Sequence, residues 1–198
     1  MSNDEYVAKK QQKDFEEGKK PQKLFADLMQ KNGFRCYSAT SYQDKYEHWD
    51  ILTVEDLGNG TKVFERSDIK GLKNCVKEGF EWMELQTIDG RMGWLYSEFT
   101  DNIIFEIEDC FLFIKRAELL PIIVANVAKM DKLDEEDGER PPVVHVIKDG
   151  LKYYQRYCRI LWGNTDITVM SPFTDFQHLI YMKLYKADGK IEKFNRKQ

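Results

Sequence analysis

Two carboxylates and an ammonium in HWDILTVEDLGNGTKVFERSDIKGLK (residues 48–73) have the types and spacing to do chemistry. Asp50 falls on one expected strand, around 48–54, and Asp68-Ile69-Lys70 closes the next, 61–70. Side chains alternate along a strand, so Asp68 and Lys70 share a face with Ile69 opposite. Leu57-Gly58-Asn59-Gly60 reads as the turn that folds Asp50 back beside them. Such charges at the end of a strand pair are costly unless they are solvated, paired or bound to a cation. Hard oxygen donors suit magnesium or a similar divalent ion, which polarises a phosphoryl oxygen and lowers the pKa of bound water. Lys70 would orient that water or stabilise the charge that grows in the transition state. The bland counterpart is a surface salt-bridge cluster on a hairpin, which contributes little stability.

The elements around this cluster read as mixed α and β. Residues 4–32 form an expected helix, broken near Gly18, with Leu24, Phe25, Leu28 and Met29 as its apolar stripe and Asn32-Gly33 as its cap. Residues 34–38 follow, and 39–47 read as a polar loop. Further strands are expected over 80–88, 102–107 and 110–115, with Asp89-Gly90 turning the first into Met92-Gly93-Trp94-Leu95-Tyr96. Residues 117–130 read as a helix with Pro121 in its first turn. An acidic linker over 131–142 separates this half from a hairpin signal, Asp149-Gly150 between 143–147 and 151–157. A strand at 167–170, a short helix at 174–180, a strand at 181–185 and a basic tail complete the order. Many neighbours are antiparallel and no regular βαβ alternation occurs, which predicts an α+β fold in a single domain over 1–198.

In this setting Asp50 and Asp68-Ile69-Lys70, with a helix upstream and a turn between their strands, resemble the PD-(D/E)xK nuclease superfamily, which is restriction-endonuclease-like. DIKGLK, FEWMELQTIDGRMGWLYSEFTDNIIFE and FLFIKRAELL are similar to its small phage-type members, over roughly residues 20–180. The resemblance implies a mixed central β-sheet flanked by helices, an αββ core with additional antiparallel hairpins, and a Trp-rich hairpin after the catalytic strand. It implies hydrolysis of DNA phosphodiester bonds, with Asp50 and Asp68 holding magnesium or manganese, the Ile69 carbonyl contributing, and Lys70 as catalytic lysine. Glu84 on the following strand, with Gln86 on its face, would complete the catalytic and metal-binding set. Glu16 or Glu17 would supply the helix-borne acid of some members. The sequence departs from the pattern twice. Trp49 stands where a proline often precedes the first acid, and residues 71–79 are too short for the helix often found after the catalytic strand. The alternative is a catalytically inactive protein of the same fold, a phage or bacterial module that binds nucleic acid or protein. A junction-resolving nuclease would require a homodimer.

Composition limits the choices further. The chain has 198 residues, 42% hydrophobic and 13% aromatic, enough for a real core, and a formal net charge of -4. The stretch 131–140 (DKLDEEDGER) carries that entire excess, so the rest is neutral and only a local basic groove suits DNA. Lys62, Arg66, Lys73 and Lys77 surround the cluster and offer phosphate contacts, while the acidic stretch offers a surface to a protein partner. No apolar run approaches a membrane span, and the first residues lack a signal core, so a soluble, cytoplasmic protein without a membrane partner is expected. Cys36, Cys75, Cys110 and Cys158, like His48, His145 and His178, are too scattered for a zinc site, which predicts reduced, structural thiols. Trp82, Trp94, Tyr96 and Phe99 are expected mainly in the core. No phosphate-cradling glycine loop or hydrolase elbow occurs.

Overall fold

The computed structural model describes residues 18–72, 79–87, 89–127, 132–134, 146–148, 151–153, 156–161 and 164–194. The apolar stripe of the N-terminal region forms helix α1 over residues 18–31. Phe25, Leu28 and Met29 are at most 2% exposed, whereas Leu24 stands 37% exposed and lies off the buried stripe. Asn32 and Gly33 end the helix as expected. The Asn32 amide donates to the Leu28 carbonyl at 2.9 Å, and Gly33 takes a left-handed φ of 86°.

The strands that follow are β1 (Arg35–Ser38), β2 (Ile51–Asp56), β3 (Lys62–Lys70), β4 (Phe80–Gln86), β5 (Asn102–Glu106) and β6 (Cys110–Lys115). Helix α2 (Arg116–Val127) comes next, then β7 (Lys132–Asp134), β8 (Val146–Lys148), β9 (Leu151–Tyr153), β10 (Arg156–Leu161) and β11 (Asn164–Pro172). The short helix α3 (Phe173–Phe176) precedes β12 (Met182–Tyr185) and β13 (Ile191–Lys193). The fold is therefore α+β, with few helices, and it separates into two compact units.

The first unit takes the chain up to Leu72, Asn102–Phe113 and the chain from Tyr181 onward. Its seven-stranded sheet runs β1-β2-β3-β5-β6-β12-β13. β2 and β3 form the expected antiparallel hairpin, in register from Ile51↔Ser67 to Asp56↔Lys62. Gly58 and Gly60 close it with φ of 80° and 83°, conformations that a side chain would strain. β3 and β5 are parallel, and most of the chain between them belongs to the second unit. One face of the sheet presents Ile51, Ile69, Ile104, Phe111, Phe113, Met182 and Leu184 to Phe25, Leu28 and Met29 of α1. Phe25 sits at the middle of this core, with ring centroids 5.5 Å from Phe111 and 5.6 Å from Phe113.

The second unit pairs β4-β11-β10-β7 in one sheet and β8-β9 in a separate hairpin. Here several sequence expectations fail. The arm expected after Asp89-Gly90 makes one bridge, Gln86↔Met92, and then turns into a 3-10 helix over Trp94–Tyr96. Gly93 explains the break, because a Cβ there would stand 2.3 Å from the Glu84 carbonyl oxygen, and the crossing leaves no room for a regular strand. Pro121 lies inside α2, beyond its first turn. The expected acidic linker contains β7, which pairs in parallel with β10. The expected strand over 151–157 is divided between β9 and β10. In the first unit the polar loop over 39–47 holds a π-helical turn, Gln43–Glu47, and the basic tail supplies β13 against β12. The expected helix before residue 18 and most of 131–142 lie outside the described residues.

Because Phe25 is fully buried among side chains that cannot all collapse into its place, Phe25→Ala should destabilise the protein by about 3–5 kcal/mol. Urea unfolding would show this as a lower midpoint with an unchanged slope.

Candidate acid–lysine site

The candidate site forms where the β2–β3 ladder stops. Strand β2 begins at Ile51, yet the backbone of Asp50 is still held: its N–H donates to the Ser67 carbonyl at 2.8 Å, and its carbonyl accepts the Ala39 N–H at 2.7 Å. The side chain continues the ladder. Asp50 Oδ2 accepts the Ile69 N–H at 2.7 Å, a donor with no β2 residue opposite it. Asp50 Oδ1 accepts Gln22 Nε2 of α1, also at 2.7 Å. Both oxygens of a carboxylate only 9% exposed are thus satisfied by uncharged donors.

Asp68 and Lys70 share the face that alternation assigns them. Asp68 is 5% exposed, and its Oδ2 pairs with Lys70 Nζ at 2.7 Å. Burial, followed by repulsion from the Asp68 carboxylate, pushes the Asp50 carboxyl up to about 8; Lys70 and the Ile69 N–H oppose this, and Asp44 adds to it. Burial and Asp68 thus favour the neutral form of Asp50, while its two N–H donors and Lys70 favour the carboxylate.

Two further residues belong to this group, and the sequence did not single them out. Gln22 is one. It reaches Asp50 because α1 closes on the end of β3, where a Cβ on Gly71 would lie 2.8 Å from Pro21 Cγ. The Glu106 carboxylate holds the exit from β3 by accepting the Leu72 N–H at 2.8 Å, and it pairs with Lys186 at 2.8 Å. Asp44 is the other, carried by the turn Gln43–Glu47. Partial burial and then Asp68 raise its pKa, while Lys70 and His48 lower it. The turn is fixed by the Asp44 N–H to the Thr40 carbonyl (2.9 Å) and by Trp49 Nε1 to Glu47 Oε2 (2.7 Å). Trp49 itself is buried, and His48 adopts a left-handed φ of 54° to lead the chain into β2. Trp49 is therefore one of the residues that fix this entry.

The remaining sequence candidates are placed as follows. Glu84 lies on β4 of the second unit, half-buried in register with Thr168, and Gln86 pairs with Ile167 on the same strand. Lys62 is exposed and Arg66 half-buried on β3, while Lys73, Lys77, Glu16 and Glu17 lie outside the described residues. Among the described residues, no three His, Cys, Asp or Glu side chains come together in metal-binding geometry. Magnesium commonly takes only one or two protein carboxylates and fills its sphere with water and phosphate oxygens; of the two acids expected to hold it, Asp50 accepts protein hydrogen bonds at both oxygens and Asp68 pairs with Lys70. Trp94 is buried, Trp82 and Tyr96 are half-buried, and Phe99 is 49% exposed. Burial pushes the free thiols of Cys36 and Cys110 up to about 11, which leaves them inert.

Comparison with known proteins returns no match of this chain to a family model, to a curated protein or to a solved structure.

The Asp50 titration gives a signed expectation. Its folded pKa is raised from 3.8 to about 8, so folding takes up a proton between those values and stability falls as pH rises through the window. This group contributes a slope of up to about 1.4 kcal/mol per pH unit. Asp50→Asn should flatten the profile, since Asn accepts the Ile69 N–H and the Gln22 amide can turn to meet the new one. Unfolding midpoints measured from pH 4 to 9 for both proteins check it.

Proposed function

We propose that this chain is a metal-dependent nuclease that hydrolyses DNA phosphodiester bonds, of the PD-(D/E)xK type its sequence resembles. One observation carries the reading: Asp50, Asp68 and Lys70 converge at one end of the β2–β3 hairpin, with Asp50 buried and raised to about 8. A buried acid pair with a single lysine is a costly arrangement for stability alone. It is an economical one for holding a divalent cation and a phosphate.

In this reading Asp50 and Asp68 hold magnesium or manganese, with the Ile69 carbonyl contributing as the resemblance implies. A bound ion supplies charge for the phosphoryl oxygen and a water of lowered pKa. Gln22 and the Ile69 N–H fix the direction of the Asp50 carboxylate. Lys70, whose side chain is 18% exposed, is paired with Asp68 and lies beside the place where water and phosphate would meet. Its ammonium orients the attacking water or stabilises the charge on the phosphate. Asp44 enters through its electrostatic contact with Asp68, and Glu84 through the resemblance alone.

A second reading has its own support. The Lys70–Asp68 ion pair is already complete, and no third acid joins Asp50 and Asp68 in ligand geometry among the described residues. A nuclease-like protein without turnover, binding nucleic acid or a protein partner, is consistent with that. The acidic stretch 131–140, of which the described part is β7, would be its protein-facing candidate. No described helix is long and apolar enough to cross a membrane.

Calorimetric titration with manganese, followed by a plasmid-nicking assay, separates the two. The nuclease reading expects binding that is lost in Asp68→Asn, and nicking that falls by about 100- to 1000-fold in Lys70→Ala. Binding without nicking supports the inactive module. Nicking that survives Lys70→Ala at full rate would sink the mechanism.

A further inference from the structure

The strands that carry the candidate site also sort charge and aromatic side chains between their two faces. The registers Tyr37↔Leu52 and Leu52↔Arg66 set one row across β1, β2 and β3; Arg35↔Val54 and Val54↔Phe64 set the next. Alternation along β3 then places Lys62, Phe64 and Arg66 on the face of Asp68 and Lys70. The acids Glu55 and Glu65 fall on the other face, in the rows of Val63 and Thr53. Within β1, β2 and β3, and outside the cluster, this face carries Arg35, Lys62 and Arg66 with the acid Asp56, and the adjoining turn adds Lys45 with Asp44 and Glu47.

Aromatic rings stand among those cations without being buried. Tyr37 is 51% and Phe64 59% exposed. The turn that brings Asp44 to the cluster adds Tyr42 and Tyr46, 65% and 48% exposed, with ring centroids 4.9 Å apart. Lys45 Nζ lies 5.3 Å from the Tyr46 ring centroid. Strand aromatics ordinarily repay their place through burial, whereas Tyr37 and Phe64 stay more than half exposed and the Tyr42–Tyr46 pair stands at the surface. Bases offer flat partners for such rings, and phosphates offer partners for the cations between them. A duplex already spends its base faces on its own stacking; an unpaired strand does not.

We propose that this face is a stacking platform for unpaired bases, so that the nucleic acid led to Asp50, Asp68 and Lys70 is single-stranded DNA. The platform stands on its own geometry, while the delivery to a cutting site rests on the nuclease reading.

Fluorescence anisotropy with a labelled oligo-dT of about 15 nucleotides, and with a duplex of equal length, tests it in EDTA, where nothing is cut. The single strand should bind more tightly than the duplex. Phe64→Ala and Tyr42→Ala should each weaken single-strand binding by about five- to a hundred-fold, with little change for duplex. Lys62→Ala should weaken both and reduce the salt slope by about one. Thermal melts of the variants show whether these exposed positions leave the fold intact. Equal affinity for both forms, or full single-strand affinity in both aromatic variants, would overturn the proposal. Manganese-dependent cleavage of the same single strand by the wild-type chain is scored separately. Weakened binding in the aromatic variants with no wild-type cleavage upholds the platform and defeats the nuclease; cleavage with full binding in both aromatic variants does the reverse.

Discussion

A buried carboxylate takes the place of a backbone group at the end of the β2–β3 ladder. The Ile69 N–H points to where another residue of β2 would sit, and Asp50 Oδ2 receives it instead. An unsatisfied amide there would cost a substantial part of the protein's margin of stability. The same carboxylate ties in α1 through Gln22 and, by charge, meets Asp68, Lys70 and Asp44. A structural requirement and a chemical one thus fall on the same side chain. Pro21 lies close to Gly71 at the same end of the ladder, and the turn from Thr40 to His48 leads the chain into Asp50.

The raised pKa of Asp50 ties its structural duty to its chemical one. Burial beside Asp68 penalises a second negative charge, while the N–H groups of Ile69 and Gln22 hold the carboxylate in place. Introduced positive charge would reverse the balance and draw the proton off. Lys70 supplies part of that charge and pairs with Asp68, while burial and Asp68 outweigh it at Asp50. The nuclease reading assigns further positive charge there to a divalent ion.

Period-two alternation placed Asp68 and Lys70 together, and the glycine-rich turn returned Asp50 to them, because both are local rules that a hairpin obeys without help. The Phe25, Leu28 and Met29 stripe was legible for the same reason, as was Asn32-Gly33. Gln22 and Asp44 were not. A polar residue on a helix carries no sign of what it will touch, and the turn around Asp44 is set by the burial of Trp49 and the left-handed His48, which are tertiary effects. The arm after Gly90 failed as a strand because Gly93 must pass against the Glu84 carbonyl, a packing constraint with no periodicity to announce it. The short strands β7 and β13 escaped notice for want of length: three residues in a charged stretch show no alternation, and pairing alone defines them.

The parallel pairing of β3 with β5, and the antiparallel pairing of the late strand β12 with β6, have a consequence for how the molecule is made. The hairpin that bears Asp50, Asp68 and Lys70 is contiguous in the chain and can form as soon as it is synthesised. Its supporting core cannot. Phe111 and Phe113 wait for Met182 and Leu184, which arrive only after the whole second unit has been translated. A growing chain therefore carries α1 and the acid-lined hairpin without the Met182 and Leu184 part of their core for most of its synthesis. Contacts so distant in sequence also slow the final closure. The first unit is the earlier to begin folding and the last to finish.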